Sequence, residues 1–396
     1  MPHNFGSKHT FTWLRACYFF FFAILGLLVP YLGVFFESRG FNPQQIGFLL
    51  AIVLGTRIIA PNVWARVADK TGYRTELIKL GAIGAAISFV SFFYHGSILY
   101  LALSLVIYTF FWNSILAQLE VVTLESLGEN AHQYGKIRSW GSVGYIVLVI
   151  AAGAAIDRYG AEILPSLGMG LFLLLALCTL PLPKANVDEA QKRAITPLKL
   201  SASVSLFLLS ALLMQMSVGP FYGFFVLYLK QVGYSETLAG VLVALGVLAE
   251  IGIFIKAPWL IQKFGLKLLL IISTALTALR WLILAWYPQN LSLVCLSQVL
   301  HAFTFGLTHA VSIQFIYQQF PKGHRSRGQA LYASISFGVG GALGTWLAGI
   351  IWGDGSSSAL VWVFAAICAI ISALVVLAIN MDKPHQHELT QSHAST

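Results

Sequence analysis

The segment GFNPQQIGFLLA, residues 40–51, recurs in altered form as GYSETLAGVLVA at residues 233–244. The same offset of 193 residues, from 40 to 233, also aligns KTGYR at 70–74 with KFGLK at 263–267. Each match is weak alone, but one offset that holds without gaps over this distance indicates an internal repeat. We therefore expect two halves built on one plan and arranged as parallel copies.

Composition places both halves in a lipid bilayer. Of the 396 residues, 58% are hydrophobic and 10% are charged, and the mean hydropathy is +0.78. Soluble domains average about 25% charged residues, so this deficit predicts an integral membrane protein. Apolar stretches of about 20 residues cross a bilayer, and they must be helical because lipid offers backbone groups no other partners. We predict twelve such spans: 11–34, 45–63, 77–94, 97–119, 137–157, 162–181, 203–228, 237–256, 268–287, 290–315, 328–352 and 358–380.

Twelve spans in two related halves predict an all-α integral membrane fold of two six-helix bundles. The longest polar segment between spans, PKANVDEAQKRAITPLK at 183–199, follows the sixth span. We therefore place the N-terminal bundle at 1–182, a cytoplasmic linker at 183–202, the C-terminal bundle at 203–381 and a cytoplasmic tail at 382–396. Parallel repeats of this kind occur in transporters whose substrate site lies at mid-membrane between two halves that rock against each other.

The net charge of +9 describes topology rather than a nucleic-acid partner. If residue 1 is cytoplasmic, most of the 24 Lys and Arg fall in cytoplasmic segments, and the outside loops contain only Arg39, Arg158 and Lys230. This bias follows the positive-inside rule, so we expect both termini in the cytoplasm and no nucleic-acid binding. The first apolar stretch is too long for a cleaved signal peptide. We expect a monomeric, multi-pass plasma-membrane protein, in the inner membrane if the cell is bacterial.

The polar turn ARVADKTGYRTELIK, residues 65–79, follows the second span. Its Asp69, Lys70, Gly72 and Arg74 resemble a loop signature of the major facilitator superfamily, Gly-x-x-x-Asp-Arg/Lys-x-Gly followed by basic residues, although alanine replaces the first glycine. The resemblance implies a gating loop whose charge pairs and tight turns stabilise one state of the rocking cycle. The alternative is an ordinary positively charged cytoplasmic turn.

Two oppositely charged residues occupy equivalent positions in the repeat. Glu250 lies in the apolar run LGVLAEIGIFI at 245–255, and the offset of 193 residues relates it to Arg57. An ionisable side chain at the centre of a membrane helix costs about 2.5–3.5 kcal/mol on insertion scales, so such groups face the bundle interior and mark pathways. We expect Arg57 and Glu250 to point into one shared cavity, where they neutralise the substrate or each other. A purely structural ion pair is the alternative.

Helices ten and four each have a polar face. On helix ten, at 100° per residue, five polar side chains lie within about 80° of His301. They are Gln298, Thr304, Thr308, His309 and Ser312. This stripe predicts a cavity wall, and a histidine that titrates near neutral pH suits proton coupling, with a packed histidine as the alternative. On helix four Asn113 shares a face with Glu120, which would meet and orient Arg138 across the hairpin. An ion pair at the cytoplasmic end of the helices is the alternative.

Five stretches identify the chain as similar to the phenylpropionate permease family, a proton-symporter branch of the major facilitator superfamily related to lactose permease. They are LLAIVLGTR at 49–57, YGKIRSWGSV at 134–143, GYSETLAG with LGVLAEIGIF over 233–254, ALRW at 278–281 and QVLHAFTFGLTHA at 298–310. The resemblance extends from helix one to helix twelve. It implies the major facilitator fold and transport of a small molecule with protons.

The resemblance to lactose permease also implies roles for single residues. Glu120 and Arg138 match its sugar-binding carboxylate and arginine. Glu250, Arg280 and His301 match its later acid, arginine and histidine.

Two parts of the lactose permease proton relay are absent. Thr304 replaces the proton-carrying glutamate, and Gln298 replaces a lysine. Proton coupling would therefore depend on Glu250 and His301. The same departure makes a sugar substrate less favoured.

We predict a secondary transporter that imports a small organic acid, such as 3-phenylpropionate, with protons and with no metal or cofactor. Arg57 or Arg138 would bind the carboxylate. Asn113, Arg280 and Thr304 are further candidate polar contacts with the substrate. The aromatic side chains expected to cover its ring are Tyr31, Phe221, Tyr222 and Phe224.

Other functions stay open at this point. A sugar or nucleoside symporter would be insensitive to competing carboxylates. A non-transporting receptor would bind its ligand without accumulating it, and export of hydrophobic cations is disfavoured by the buried arginines. An enzyme is not expected, because the sequence contains no nucleotide-binding loop and no metal-ligand spacing, and its loops are short.

Overall fold

The computed structural model describes residues 8–184, 200–321 and 324–380, and this part of the chain is predominantly helical. The α-helices described in the first half are α1 Lys8–Ser38, α2 Pro43–Thr71, α3 Arg74–Phe89, α4 Ile98–Trp112, α5 Ile115–Leu127, α6 Tyr134–Tyr159 and α7 Leu164–Thr179. Those in the second half are α8 Ala202–Val232, α9 Glu236–Phe264, α10 Leu266–Trp286, α11 Leu291–Val299, α12 Thr308–Gln319, α13 Arg325–Ala333, α14 Gly341–Trp352 and α15 Ser358–Leu377. The π-helical stretches Ala302–Leu307 and Ser334–Gly340 precede α12 and α14.

These helices make twelve membrane crossings, as predicted. In the described chain, 11 helical stretches are long and apolar enough to span a membrane, and one of them, Ile98–Tyr159, has 62 residues. A straight helix of that length would measure about 93 Å, three times the hydrocarbon core. It reverses instead, because Arg138 Nε lies 3.9 Å from Glu120 Oε1 although eighteen residues of straight helix would separate them by about 27 Å. The Gly128–Gln133 turn therefore divides this stretch into two crossings.

The helix boundaries confirm the internal repeat. Helix α2 covers Pro43–Thr71 and α9 covers Glu236–Phe264, each with 29 residues, so both ends are related by the offset seen in the sequence. Their N-caps, Asn42 and Ser235, obey the same offset, and each side chain accepts a hydrogen bond from the backbone N–H three residues later. The repeat therefore extends to the capping of equivalent helices.

Glycine turns at the helix ends define two faces of the molecule. Gly72 (φ 71°) and Gly265 (φ 74°) end α2 and α9 at one face, named the Gly72 face, to which the Gly128–Gln133 turn also belongs. Gly160 (φ 79°) and Gly233 (φ 104°) end α6 and α8 at the opposite face, named the Gly160 face. Positive φ angles favour glycine, because it has no Cβ to clash with the backbone.

The most extensive contacts between the two halves are those of α1 with α8, α2 with α14 and α6 with α9. Glycines let these backbones approach closely. A Cβ on Gly47 would lie 2.9 Å from Gly349 Cα, and one on Gly33 would lie 2.4 Å from the carbonyl oxygen of Gly223. Small residues serve this purpose in membrane helix packing generally.

Part of the predicted domain division lies outside the described residues. The linker at 183–202 is described only at its two ends, and the tail at 382–396 lies entirely outside. The boundaries of the bundles at 1–182 and 203–381 stay predictions.

Gly240→Ala is expected to lower the melting temperature, whereas Gly252→Ala in the same helix is not. A Cβ on Gly240 would lie 2.4 Å from the carbonyl oxygen of Val149 and 2.5 Å from the Tyr31 hydroxyl, whereas a Cβ on Gly252 meets nothing within 4 Å. Overpacking of this kind costs about 1–3 kcal/mol. Scanning fluorimetry of the purified variants measures the difference, and equal melting temperatures would contradict the close approach of α6 and α9.

Candidate functional site

A cavity of about 600 Å³ lies between the two halves. Helices α1, α2, α4, α5 and α6 line it from one side, and α8, α9 and both π-helical regions line it from the other. Most of the lining side chains are aromatic or aliphatic. The residues that the sequence predicted for the site and that line this cavity are Arg57, Asn113, Glu120, Arg138, Phe221, Tyr222, Glu250 and His301.

The cavity opens toward the Gly72 face. The exposed fraction of the side chain is 9% for His301 and 17% for Glu250. It rises to 40% for Glu120, which lies in α5, the helix that ends at the Gly128–Gln133 turn. At the Gly160 face the halves are joined by polar contacts, including an ion pair of 2.8 Å between Lys230 Nζ and Glu37 Oε2. The protein is therefore open to one side of the membrane and closed to the other.

Arg57 contributes an unpaired positive charge to the cavity. Among the residues that the structure describes, its guanidinium has no hydrogen-bond or ion-pair partner, and its electrostatic neighbours are the phenol groups of Tyr108 and Tyr222. Asn113, at the end of α4, donates from Nδ2 to Thr56 Oγ1 at 3.3 Å and so lies beside the Arg57 segment. A cationic group without a partner, in a space lined mostly by apolar side chains, is suited to bind an anion.

Glu250 faces His301 rather than Arg57. Glu250 Oε2 lies 3.6 Å from Nε2 of His301, and Nδ1 of His301 lies 2.8 Å from a guanidinium nitrogen of Arg280. Because arginine only donates, Nδ1 of the neutral imidazole accepts, and the imidazole proton is on Nε2, directed toward the carboxylate. The structural ion pair between Arg57 and Glu250 that the sequence left as an alternative does not form in this structure.

Arg280 lies behind His301 and outside the cavity lining. Its side chain is fully buried, with its guanidinium carbon 4.4 Å and 4.2 Å from the ring centroids of Phe221 and Trp281. It also donates to Gln298 Oε1 at 3.4 Å. The sequence predicted that Arg280 contacts the substrate. In this structure Arg280 instead orients the histidine.

Glu120 and Arg138 meet across the hairpin, as predicted, at the Gly72 end of the cavity. Their closest charged atoms are 3.9 Å apart, and the Arg138 guanidinium lies over the Phe22 ring at 4.0 Å. With 29% of the Arg138 side chain and 40% of the Glu120 side chain exposed, this pair is loose and its polar atoms are accessible from the cavity.

This arrangement of two repeated six-helix halves around a central cavity has counterparts among known proteins. A family model described as MFS_1 like family matches residues 11–380. The chain belongs to this family. The "Probable 3-phenylpropionic acid transporter" of Escherichia coli (strain K12) is 27% identical over 350 residues, which cover 86% of this chain and 90% of that protein. The "Maltose permease" of Geobacillus stearothermophilus is 26% identical over 367 residues, covering 91% and 92%.

A solved structure has the same fold. The structure of the nucleoside transporter NupG superposes with a TM-score of 0.82 at 19% sequence identity, covering 94% of this chain and 99% of that one. The predicted major facilitator fold and the resemblance to its permeases are thus confirmed. This member of the MFS_1 like family is a multi-pass membrane transporter for a small molecule and not an enzyme.

Besides Arg280, three predicted substrate contacts of this MFS_1 like protein lie outside the cavity lining. Tyr31 is buried near the Gly160 face, where its hydroxyl binds backbone carbonyl groups. Phe224 is buried against Trp352, with ring centroids 5.2 Å apart. Thr304 is buried and hydrogen-bonded to Thr277 at 3.0 Å. In this structure all three side chains stabilise helix packing instead of facing the cavity.

Local helix geometry explains the position of Thr304. The predicted polar stripe assumed 100° per residue, but Ala302–Leu307, which includes Thr304, is π-helical. Its wider turn changes the direction of the side chains within and after it. Within the described chain His301 is the one member of the stripe that lines the cavity. The members that are buried elsewhere are Gln298, Thr304, Thr308 and Ser312. The prediction that the whole stripe forms a cavity wall is wrong.

The gating-loop residues form a connected turn within the first half. Gly72 ends α2 in the left-handed conformation. Arg74 pairs with Asp69 at 2.9 Å and donates to Gln118 Oε1 of α5 at 2.7 Å, while Lys70 is exposed. These contacts connect the loop to α5, and its role in stabilising one transport state stays a prediction.

Several aromatic residues of the cavity were not predicted from the sequence. These are Phe21, Tyr108, Trp112, Tyr145, Phe305 and Phe337. Helical spacing was a usable signal for one of them, because Ser142 and Tyr145 lie four and seven residues after Arg138 and therefore on its face. The stacked pair of Phe21 and Trp112, with centroids 4.1 Å apart, joins α1 to α4 and left no such signal.

Proposed function

We propose that this MFS_1 like protein is a proton-coupled symporter of a small aromatic organic acid, with 3-phenylpropionate as the representative substrate. The observation that supports it most is the unpartnered guanidinium of Arg57 in a mostly apolar cavity. A carboxylate there would gain charge-assisted hydrogen bonds, and it would supply the direct partner that Arg57 lacks among the described residues.

Aromatic walls suit the rest of such a substrate. The phenol groups of Tyr108 and Tyr222 lie beside Arg57, and the stacked rings of Phe21 and Trp112 line the same space. Aromatic rings pack in stacked or edge-to-face arrangements worth about 0.5–1.5 kcal/mol beyond area burial. A ring attached to a carboxylate would therefore be bound at both of its ends.

Coupling to protons follows from placing Glu250 in the same cavity. A bound carboxylate and an ionised Glu250 are like charges in a space of low polarity, so the anion binds more tightly when Glu250 is protonated. By linkage, the substrate favours proton binding to the same degree. The Nε2–H of His301 faces the carboxylate and stabilises it once the proton has left, so Glu250 and His301 are the proposed proton-coupling pair.

Alternating access would carry substrate and proton across together. With the Gly72 face in the cytoplasm, as the positive-inside rule predicts, the described state is open inward. Protonation and binding occur when the Gly160 face is open, and release occurs in the state seen here. Rocking of the halves converts one into the other.

A sugar or nucleoside symporter is the second candidate. The loose Glu120–Arg138 pair favours it, because its accessible atoms suit hydroxyl groups, and relatives include a maltose permease and a nucleoside transporter. The unpaired Arg57 argues for the acid, since a neutral substrate leaves that charge without a partner.

Ligand screening separates these candidates. Purified protein is expected to show a higher melting temperature with 3-phenylpropionate, and a smaller shift or none with its alcohol analogue 3-phenylpropanol, maltose or xanthosine, because only a carboxylate neutralises Arg57. Uptake of labelled 3-phenylpropionate by proteoliposomes then distinguishes a transporter from a receptor. Stabilisation by maltose or xanthosine, with no competition from carboxylates, would overturn the organic-acid proposal.

A further inference from the structure

The start of α9 is capped by a carboxylate from the other half of the protein. Asp157, at the end of α6, accepts hydrogen bonds from the backbone N–H groups of Glu236 (2.9 Å) and Thr237 (2.8 Å) and from the Thr237 hydroxyl. The next N–H, of Leu238, is bound by the ordinary N-cap Ser235. Asp157 therefore supplies partners to helix-end donors that would otherwise be unsatisfied, and its charge is favourable at a helix N-terminus.

Tyr31 makes a second polar link at the same place. Its buried hydroxyl lies 2.7 Å from the carbonyl oxygen of Val149 in the first half and 3.2 Å from that of Glu236 in the second. Two glycines leave room for it, since a Cβ on Gly153 would lie 2.6 Å and one on Gly240 2.5 Å from the Tyr31 hydroxyl. A tyrosine, a carboxylate and two glycines thus converge on one helix end.

The internal repeat shows that this capping is particular to the second half. The residue equivalent to Glu236 is Pro43, which starts α2 and has no N–H to satisfy. Helix α2 begins with a capping box formed by its own Asn42 and Gln45. Of these two equivalent helices, α9 is the one capped from across the boundary between the halves. Separating the halves there leaves the N–H groups of Glu236 and Thr237 without these partners.

We propose that Tyr31, Asp157 and the first turn of α9, Glu236 and Thr237, form a clasp that holds the Gly160 face closed. The bonds that Tyr31 and Asp157 make to the first turn of α9 exist only while the two halves touch at this face. They therefore stabilise the described state and set its population against the state that opens the Gly160 face. The clasp does not depend on the identity of the substrate.

Spin-label distances without substrate test the clasp. Labels on cysteines introduced at His95 and Gln289, exposed loop positions at the Gly160 face in opposite halves, report its opening in protein whose native cysteines are replaced by alanine. Asp157→Ala is expected to raise the ratio of open to closed molecules about fivefold, the effect of losing one helix cap. Asp157→Asn, which keeps one of the two acceptor oxygens and loses the charge, is expected to give a ratio between those of the parent and Asp157→Ala. Tyr31→Phe is expected to shift the ratio in the same direction as Asp157→Ala.

Asp354→Ala is the matched control. Asp354 is also at the Gly160 face, but its carboxylate bonds only within its own turn, to Ser356. An unchanged distance distribution for Asp157→Ala, or an equal shift for Asp354→Ala, would overturn the proposal. If Asp157→Ala does not fold, Thr237→Val, which removes one of the bonds, is measured in the same way. These outcomes are independent of the ligand screen, so they separate failure of the clasp from failure of the proposed transport function.

Discussion

Replacing Arg57 with glutamine is expected to weaken the binding of 3-phenylpropionate by about 30-fold or more. Truncating one partner of a buried charge pair costs about 2–5 kcal/mol, and every 1.4 kcal/mol is a factor of ten in affinity. The Arg57 side chain has no partner among the described residues, so its removal leaves no negatively charged protein group without its ion-pair partner. Isothermal titration calorimetry of the purified variant measures the dissociation constant.

Two comparisons make this result specific to the carboxylate. Binding of the alcohol analogue 3-phenylpropanol is expected to be unaffected by Arg57→Gln, because it brings no charge to the site. Arg158→Gln removes a positive charge from the exposed Gly160 face, where Arg158 lies over Tyr159, and is expected to bind the acid like the parent protein. A folded Arg57→Gln protein with the parent affinity for the acid would rule out this arginine as the carboxylate site.

Glu250→Gln is expected to abolish proton-driven accumulation while leaving exchange of preloaded substrate intact. For symport of one proton with one monoanion, each pH unit of gradient supports about tenfold accumulation. Glutamine resembles the protonated acid, so the loaded carrier still crosses the membrane, but no proton is carried and the accumulation ratio falls to about one. Proteoliposomes with an imposed pH gradient measure accumulation, and counterflow into substrate-loaded vesicles measures exchange.

The control for this pair of assays is Glu129→Gln. Glu129 is exposed in the Gly128–Gln133 turn, outside the cavity lining, so both accumulation and exchange are expected to persist. If Glu250→Gln folds but loses exchange as well, Glu250 has a binding or structural role rather than a proton-carrying one. If Glu250→Gln keeps full proton-driven accumulation, another residue carries the proton.

The comparison of Arg57 with Glu250 shows how far the repeat predicts the site. Equivalence in the sequence correctly placed both side chains on the shared cavity, because equivalent helices of the two halves surround it at similar depth. It could not predict their partners, since these are set by side-chain directions on other helices. Glu250 faces His301, which Arg280 orients, whereas Arg57 lies beside the phenol groups of Tyr108 and Tyr222 and has no ion-pair partner among the described residues.

Tyr31 illustrates the opposite outcome. An aromatic residue in the first helix of a transporter was a reasonable candidate for a ring contact, yet its hydroxyl joins backbone groups of α6 and α9. Those carbonyl groups lie far from Tyr31 in sequence, and no local pattern indicates them. Two glycines that make room for the hydroxyl, Gly153 and Gly240, acquire their meaning only after the helices are packed.

The sequence by itself determined the membrane location, the helical spans and the two-fold repeat, because a backbone in lipid must satisfy its hydrogen bonds within each helix, and hydropathy records where it does. The tertiary structure alone decided which buried charges have partners, which aromatic rings face the cavity and which face is closed. These depend on contacts between distant helices and on π-helical turns such as Ala302–Leu307, which rotate side chains away from the positions that a regular period predicts.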